Sequence, residues 1–259
     1  MKGKFLAVLA LVGMAGMSYA QEREQDSVRV AELGEVVVKA VSAPKGAPFA
    51  VSRISKMELQ EFSTGGQELP YLFARTPGVV AWSENGLGMG TVYMRMRGSA
   101  GSRVNVTLDG VSLNSPEDQC VFWANMNSYA SLLGSVQIQR GVGSSTTGDG
   151  AFGGSIAMQT KLPQMQPMLE VTGSYGSYNT WRAGGQFSTG LLGKHWVVDG
   201  VYHQTTTDGY LHGTHGKSGS YTAGVAWLSE DSRLVLKYRN LGNFESTGQA
   251  WNGVTAGND

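Results

Sequence analysis

The chain of 259 residues carries 20 acidic and 20 basic side chains, so its formal net charge is zero and no basic excess points to nucleic acid. Its 37 glycines and hydrophobic share of 41% describe a folded chain with many tight turns rather than a disordered one. The single Cys120 excludes an internal disulfide and a cysteine-built zinc site, and no pattern around it marks a catalytic thiol.

Residues 1–20 read as a processing signal. Lys2 and Lys4 form a positive start, and Phe5 to Val12 form an apolar core too short to span a bilayer as a helix. Ser18-Tyr19-Ala20 is a small-x-small cleavage site, and Gln21 rather than cysteine follows it, so no lipid anchor is indicated. No later stretch reaches about 18 consecutive apolar residues, so no membrane helix is expected. The mature protein is expected to be exported. Residues 21–50 form a polar tail that holds Glu32-Leu33-Gly34-Glu35-Val36-Val37-Val38 and then a Pro- and Gly-bearing linker, Ala43 to Pro48. A strand-prone segment on a tether suits addition to another protein's sheet edge, the alternative being an edge strand of the next domain.

Residues 51–162 read as a small α+β domain. Ser55-Lys56-Met57-Glu58 is a capping box, which predicts a helix to about Phe62. A second helix is expected over Gln67 to Arg75, ending before Pro77, and a third over Asn125 to Leu133. Short strands are expected at Val79 to Trp82, Thr91 to Arg97 and Val104 to Leu108, the last turned by the hairpin pair Asp109-Gly110. Two loops stand out, Ser83 to Gly90 and Asn114 to Trp123.

Residues 163–259 change character. Five stretches alternate at strand period: Leu169 to Tyr175, Trp181 to Ser188, Trp196 to His203, Ser220 to Trp227 and Arg233 to Arg239. Aromatics sit near their ends, at Tyr175, Trp181, Trp196, Tyr202, Tyr221 and Trp227, as in interfacial girdles. Short connections at Leu192 to Lys194 and Ser229 to Asp231 contrast with the long Thr205 to Lys217. Together with export, this favours an outer-membrane barrel over a soluble β-sandwich. The fold class is therefore β-rich: an α+β domain followed by about five antiparallel strands of an incomplete barrel. Five strands cannot close in lipid, so the chain is expected to be part of a longer protein, whether a truncation, a split gene or a partial record.

Several motifs in order carry a resemblance. Thr76-Pro77-Gly78-Val79, Met96-Arg97-Gly98, Leu108-Asp109-Gly110-Val111, Gln139-Arg140-Gly141 and Gly148 to Ile156 resemble the plug motifs of TonB-dependent outer-membrane receptors, with Arg140-Gly141-Val142 where the family often has Arg-Gly-Pro. Glu32 to Ala40 resembles the TonB box of that family, and the later strands resemble the start of its barrel of about 22 strands. The resemblance implies a receptor and transporter in the outer membrane, not an enzyme, with no cofactor of its own. Its implied partners are a TonB-type energy-coupling protein, outer-membrane lipid and a small-molecule nutrient complex: an iron-siderophore, haem, cobalamin or an oligosaccharide. A truncated, non-transporting plug protein and an exported β-rich enzyme or adhesin are the competing readings.

Within that picture Asn85, Met89, Gln119, Phe122 and Trp123 are the expected ligand contacts, because amides and aromatics on two loops of one side suit a bulky amphipathic ligand. Arg95, Arg97 and Arg140 resemble the plug arginines that pair with barrel glutamates. His212 and His215 offer a metal or haem two ligands without a third, a weak site. No Ser-His-Asp or paired-carboxylate arrangement is evident.

Overall fold

The structure is a computed structural model and describes residues 50–127, 129–142, 151–229 and 234–248. The processing signal and the strand-prone segment at 32–38 lie outside the described residues, as does the first part of the glycine-rich run.

The plug-like part begins with strand β1 (Ala50–Ile54) and helix α1 (Lys56–Ser63). The capping box at the start of α1 forms in both directions: Glu58 N–H donates to Ser55 Oγ at 3.3 Å, and Ser55 N–H donates to Glu58 Oε2 at 2.8 Å. These bonds draw the Glu58 carboxyl below its usual range, with the Ser55 backbone donor the largest cause. Helix α2 is shorter than the sequence predicts, Leu69–Phe73. Gln67 and Glu68 stay outside it because Glu68 is engaged elsewhere: its N–H donates to Gly88 O at 2.9 Å, and its carboxylate accepts from Gly90 N–H at 2.7 Å.

Strands β2 (Val79–Ser83), β3 (Val92–Met96) and β4 (Ser99–Ala100) form a three-stranded sheet. Strands β5 (Val104–Leu108), β6 (Val111–Ser112), β7 (Leu133–Arg140) and β8 (Gly154–Thr160) join β1 in a mixed sheet of order β1-β7-β8-β5-β6, with β5 and β8 parallel. Asp109 (φ 49°) and Gly110 (φ 85°) make the tight turn between β5 and β6. The helix expected over Asn125 to Leu133 is absent. Two single-turn 3₁₀ segments stand there instead, Trp123–Met126 and Tyr129–Ser131. Extended backbone at Asn127 (ψ 131°) separates them. Its side-chain amide reaches across to Phe244 O at 3.4 Å, a tertiary bond that overrides local helix propensity. The core gathers Leu59, Phe62, Leu72 and Phe73 from the helices against Val136, Ile138, Ile156 and Met158 of the sheet.

Five longer strands follow: β9 (Pro167–Gly176), β10 (Thr180–Thr189), β11 (Trp196–Thr207), β12 (Gly216–Leu228) and β13 (Val235–Thr247). They pair as an antiparallel meander and form an open sheet. The last three run longer than the alternation alone predicts. The expected long loop at Thr205 to Lys217 therefore contracts to 208–215, and the hairpin at 177–179 on the same end is short.

The two faces of this wall decide its nature. Trp181, Phe187, Trp196, Tyr202, Tyr221, Val225, Leu236 and Tyr238 are exposed on one face. Arg182, Ser188, His203, Thr205, Ser218, Ser220 and Thr222 are buried on the other. A soluble sandwich would bury the apolar set. Here the polar set is buried and the apolar set faces out, as in a strand wall facing lipid. The outward face also repeats a pairing of aromatic rings with glycine. Phe187 lies opposite Gly200, Phe244 opposite Gly219 and Tyr221 opposite Gly242, each ring occupying the space a glycine side chain would take. On the inward face Asp199 of β11 and Arg239 of β13 form an ion pair at 2.9 Å over Gly224 of β12.

Candidate functional site

The candidate site lies where the loops of the plug-like part meet one end of the wall. Loop 83–90 leaves β2 and is held by its own polar groups. Asn85 Oδ1 accepts from Leu87 N–H at 3.0 Å, its Nδ2 donates to Met89 O at 3.1 Å, and Ser83 Oγ accepts from Gly88 N–H at 3.1 Å. The loop rests on the wall. A Cβ on Gly216 would meet Leu87 Cδ1 at 2.9 Å and Met89 Sδ at 3.0 Å, so the loop's side chains land close against the backbone of β12.

Loop 114–122 is organised by Asn114. Its Oδ1 accepts from Val106 N–H at 2.8 Å, and its Nδ2 donates to Val104 O at 2.9 Å and Gln119 O at 2.7 Å. One side chain thus continues the ladder of β5 past the end of β6 and closes the loop. Asn114→Ala is expected to leave these backbone groups without partners, lowering stability by about 1–3 kcal/mol and opening 115–122 to protease, as thermal unfolding and limited proteolysis would read. Beyond the loop, Asn243 Nδ2 of β13 donates to Ala124 O at 3.2 Å. Loop 83–90, and the 3₁₀ turn that follows loop 114–122, therefore reach the end of the wall where β13 finishes and the 208–215 connection lies.

The five expected ligand contacts separate on this geometry. Gln119 and Phe122 are exposed. Gln119 takes a positive φ of 59°, and its Nε2 donates to Pro116 O at 3.2 Å. Asn85, Met89 and Trp123 are buried. Asn85 holds its loop, Met89 packs on the wall, and Trp123 sits edge-on to Phe73 with ring centroids 5.6 Å apart. None of these three side chains is exposed in this structure. Hydrophobic type alone does not distinguish Phe122 from Trp123; the turn of backbone between them does.

The three arginines divide as well. Arg95 lies 5.9 Å above the Trp82 ring, which stacks on Tyr93 at 5.5 Å. Arg97 (φ 49°) and Arg140 meet at one corner. Arg97 N–H donates to Gly78 O at 2.7 Å, its guanidinium covers Gly141, and Arg140 Nη1 donates to Pro77 O at 2.9 Å. Gly141 N–H also donates to Gly153 O at 2.8 Å, so four of the sequence motifs, the ones that hold Pro77, Arg97, Arg140 and Gly153, converge in space. His212 and His215 are both exposed on the 208–215 connection, and among the described residues no group of three His, Cys, Asp or Glu side chains is placed to hold a metal.

Sequence reasoning missed Glu68. It is 2% exposed, beside Glu245 of β13. Burial, with the charge of Glu245 second, pushes its carboxyl up to about 8 against the donor at Gly90. In the sequence it reads as an ordinary acid ahead of the helix start Leu69-Pro70, and nothing local signals a wall beside it.

A small mixed domain packed on the polar face of an antiparallel wall, whose other face is apolar, defines the class: a plug seated against barrel strands. Residues 43–155 match the family described as TonB-dependent Receptor Plug Domain, so this part of the chain is a plug domain of that family, and the antiparallel strands of the open wall follow it. No curated protein matches the sequence. Solved structures share the fold. The "Copper transporter OprC" aligns at 12% identity over 81% of this chain and 33% of its own, with a TM-score of 0.64. The ferric citrate transporter FecA in its unliganded form aligns at 16% over 78% and 32%, with 0.62. The ferric yersiniabactin uptake receptor FyuA from Yersinia pestis aligns at 16% over 74% and 30%, with 0.55. The chain thus spans about a third of the length of each of these structures.

Proposed function

We propose that the chain belongs to an outer-membrane receptor that imports a scarce nutrient complex, with an iron-siderophore as the leading ligand class, powered by a TonB-type energy-coupling protein. The observation that carries this reading is the wall: apolar residues face out and hydroxyl, amide and charged residues face the plug, as a lipid-embedded strand wall around a polar lumen requires. Ligand would land on the loop end, with Gln119 and Phe122 as contacts and Asn85, Met89 and Trp123 as their supports. Arg97 and Arg140, gathered at the Pro77 corner, would take carboxylate partners from the wall. The segment Glu32 to Val38 would pair with the coupling protein by strand addition, using backbone hydrogen bonds.

The test is uptake by cells carrying the full-length receptor, offered ferric siderophores, haem, cobalamin and oligosaccharides in turn. Val37→Pro removes a backbone donor from the pairing segment. It is expected to abolish energised uptake of the ligand the wild type takes, while binding to the cell surface stays. Uptake that survives Val37→Pro would overturn the coupling assignment. A wild type that takes none of these ligands would overturn the transport reading.

A further inference from the structure

We propose that Glu68 and Glu245 form a proton-holding latch across the seam between plug and wall: a single proton held by the two carboxyls keeps loop 83–90 seated on β13, and the seam opens as that proton is lost. This rests on the receptor reading, because it takes the seam to be one that a transporter must open.

Gly90 lies between the two acids. Its N–H donates to Glu68 Oε1 at 2.7 Å. A Cβ on Gly90 would stand 3.0 Å from Glu245 Oε1 and 2.7 Å from Thr247 Oγ1. One carboxyl comes from the plug and one from the wall, and both bear on one backbone position. Each also has a buried Oε2 with no hydrogen-bond partner. Two ionised carboxylates sharing so few donors leave charge uncompensated in a buried place, and one proton relieves this by removing a charge and adding an O–H donor.

Among the described residues none supplies a cation to the pair. Lys217 lies over the Phe244 ring, 5.9 Å from its centroid, on the outward face of β13. His215 meets this region through its carbonyl, which accepts from Gly248 N–H at 2.8 Å. Glu84 turns to Tyr93, and the Tyr71 hydroxyl donates to Ser83 Oγ at 3.2 Å. The donors facing Glu245 are the Asn127 amide and the Gly90 N–H.

The sign follows from where the proton binds. In the closed seam burial raises the Glu68 carboxyl to about 8; in an open, wetted seam it returns toward the ordinary 4.5. The closed form therefore holds the proton over the window between these values and the open form does not. Low pH favours closure, and each unit of pH within the window raises the opening equilibrium about tenfold, levelling off above it.

Hydrogen exchange of the peptide covering 84–92 reads this directly, in the full-length receptor in outer-membrane vesicles, after correction for the intrinsic pH dependence of exchange. In the wild type the protection of this peptide is expected to fall about tenfold per pH unit between pH 5 and 8. Glu68→Gln keeps an acceptor for Gly90 without a titrating group and is expected to give a flat profile. A flat wild-type profile, or an equal slope in Glu68→Gln, overturns the latch. Where Glu68→Gln also lowers protection in β7 and β8, Glu245→Gln decides instead: the profile is expected to level off at lower pH than in the wild type, and an unshifted profile overturns the latch. The readout needs neither ligand nor an energised membrane, so its failure in a receptor that still transports removes the latch and leaves the transport reading standing.

Discussion

Gly154→Ala is expected to destabilise the plug strongly, seen as reduced accumulation of the receptor in the outer membrane and lowered hydrogen-exchange protection across β5, β7 and β8. Gly154 opens β8, where it pairs with Arg140 of antiparallel β7 and Val104 of parallel β5. It is thus fixed from both sides in the middle of the mixed sheet. Its φ of 145° lies where side-chain-bearing residues are strained, a penalty of about 1–3 kcal/mol. A methyl group there would also collide with the carbonyl of Gln139 and with Met96 Sδ. The carbonyl is backbone within a ladder and Met96 is fully buried, so neither yields easily. Overpacking of this kind adds about 1–3 kcal/mol. The two effects together, about 2–6 kcal/mol, reach only the low end of the stability of an ordinary domain, about 5–15 kcal/mol. Gly110→Ala is the comparison: its φ is 85°, yet nothing lies within 4 Å of the added atom, so only backbone strain of about 1 kcal/mol is expected. If the two variants accumulate equally, the crowding at Gly154 is not what limits folding.

The difference between these glycines also shows what the amino-acid sequence discloses. Features written in neighbouring residues are legible. The Ser55–Glu58 box, the Asp109-Gly110 turn and the faces of the wall strands all follow from local chemistry or a period of two, and the structure carries each of them. Features written by distant contacts are not. Strand β1 goes unnoticed because Ala50 to Ile54 is short and gains its partner, β7, from residues 136–140. Helix α2 loses its first two residues to bonds that include one with Gly90, 22 positions along the chain. The expected helix after Asn125 gives way to a reach of 117 positions, from Asn127 to Phe244. The site follows the same division. Loops and arginines can be named from motifs, but which loop residue faces outward depends on backbone turns that sequence spacing does not encode. Glu68 becomes unusual only when folding buries it, with Glu245 of β13 beside it as the second cause.

Phe122 and Trp123 turn this into a sharp experiment, because two adjacent aromatics are expected to answer in opposite ways. Phe122 precedes the first 3₁₀ turn in extended backbone (φ −84°, ψ 96°), and the chain then bends so that the next side chain points inward. Trp123 is 6% exposed and packs edge-on against Phe73, itself in the centre of the plug core. Trp123→Ala removes a large buried ring and leaves a cavity, which is expected to lower stability by about 3–5 kcal/mol. Any loss of ligand binding would then accompany loss of fold. Phe122 is 59% exposed, so Phe122→Ala is expected to shift stability by no more than about 0.5 kcal/mol. If the exposed ring contacts ligand as proposed, the same variant weakens binding about tenfold, equivalent to about 1.4 kcal/mol. Thermal unfolding and ligand titration on both variants separate these effects. A Phe122→Ala receptor with unchanged affinity removes Phe122 from the ligand surface, and a Trp123→Ala receptor as stable as the wild type contradicts its place in the core. Opposite responses, stability without binding strength in one and neither in the other, would mean that the plug presents its ligand surface through one ring and holds it in place through the next.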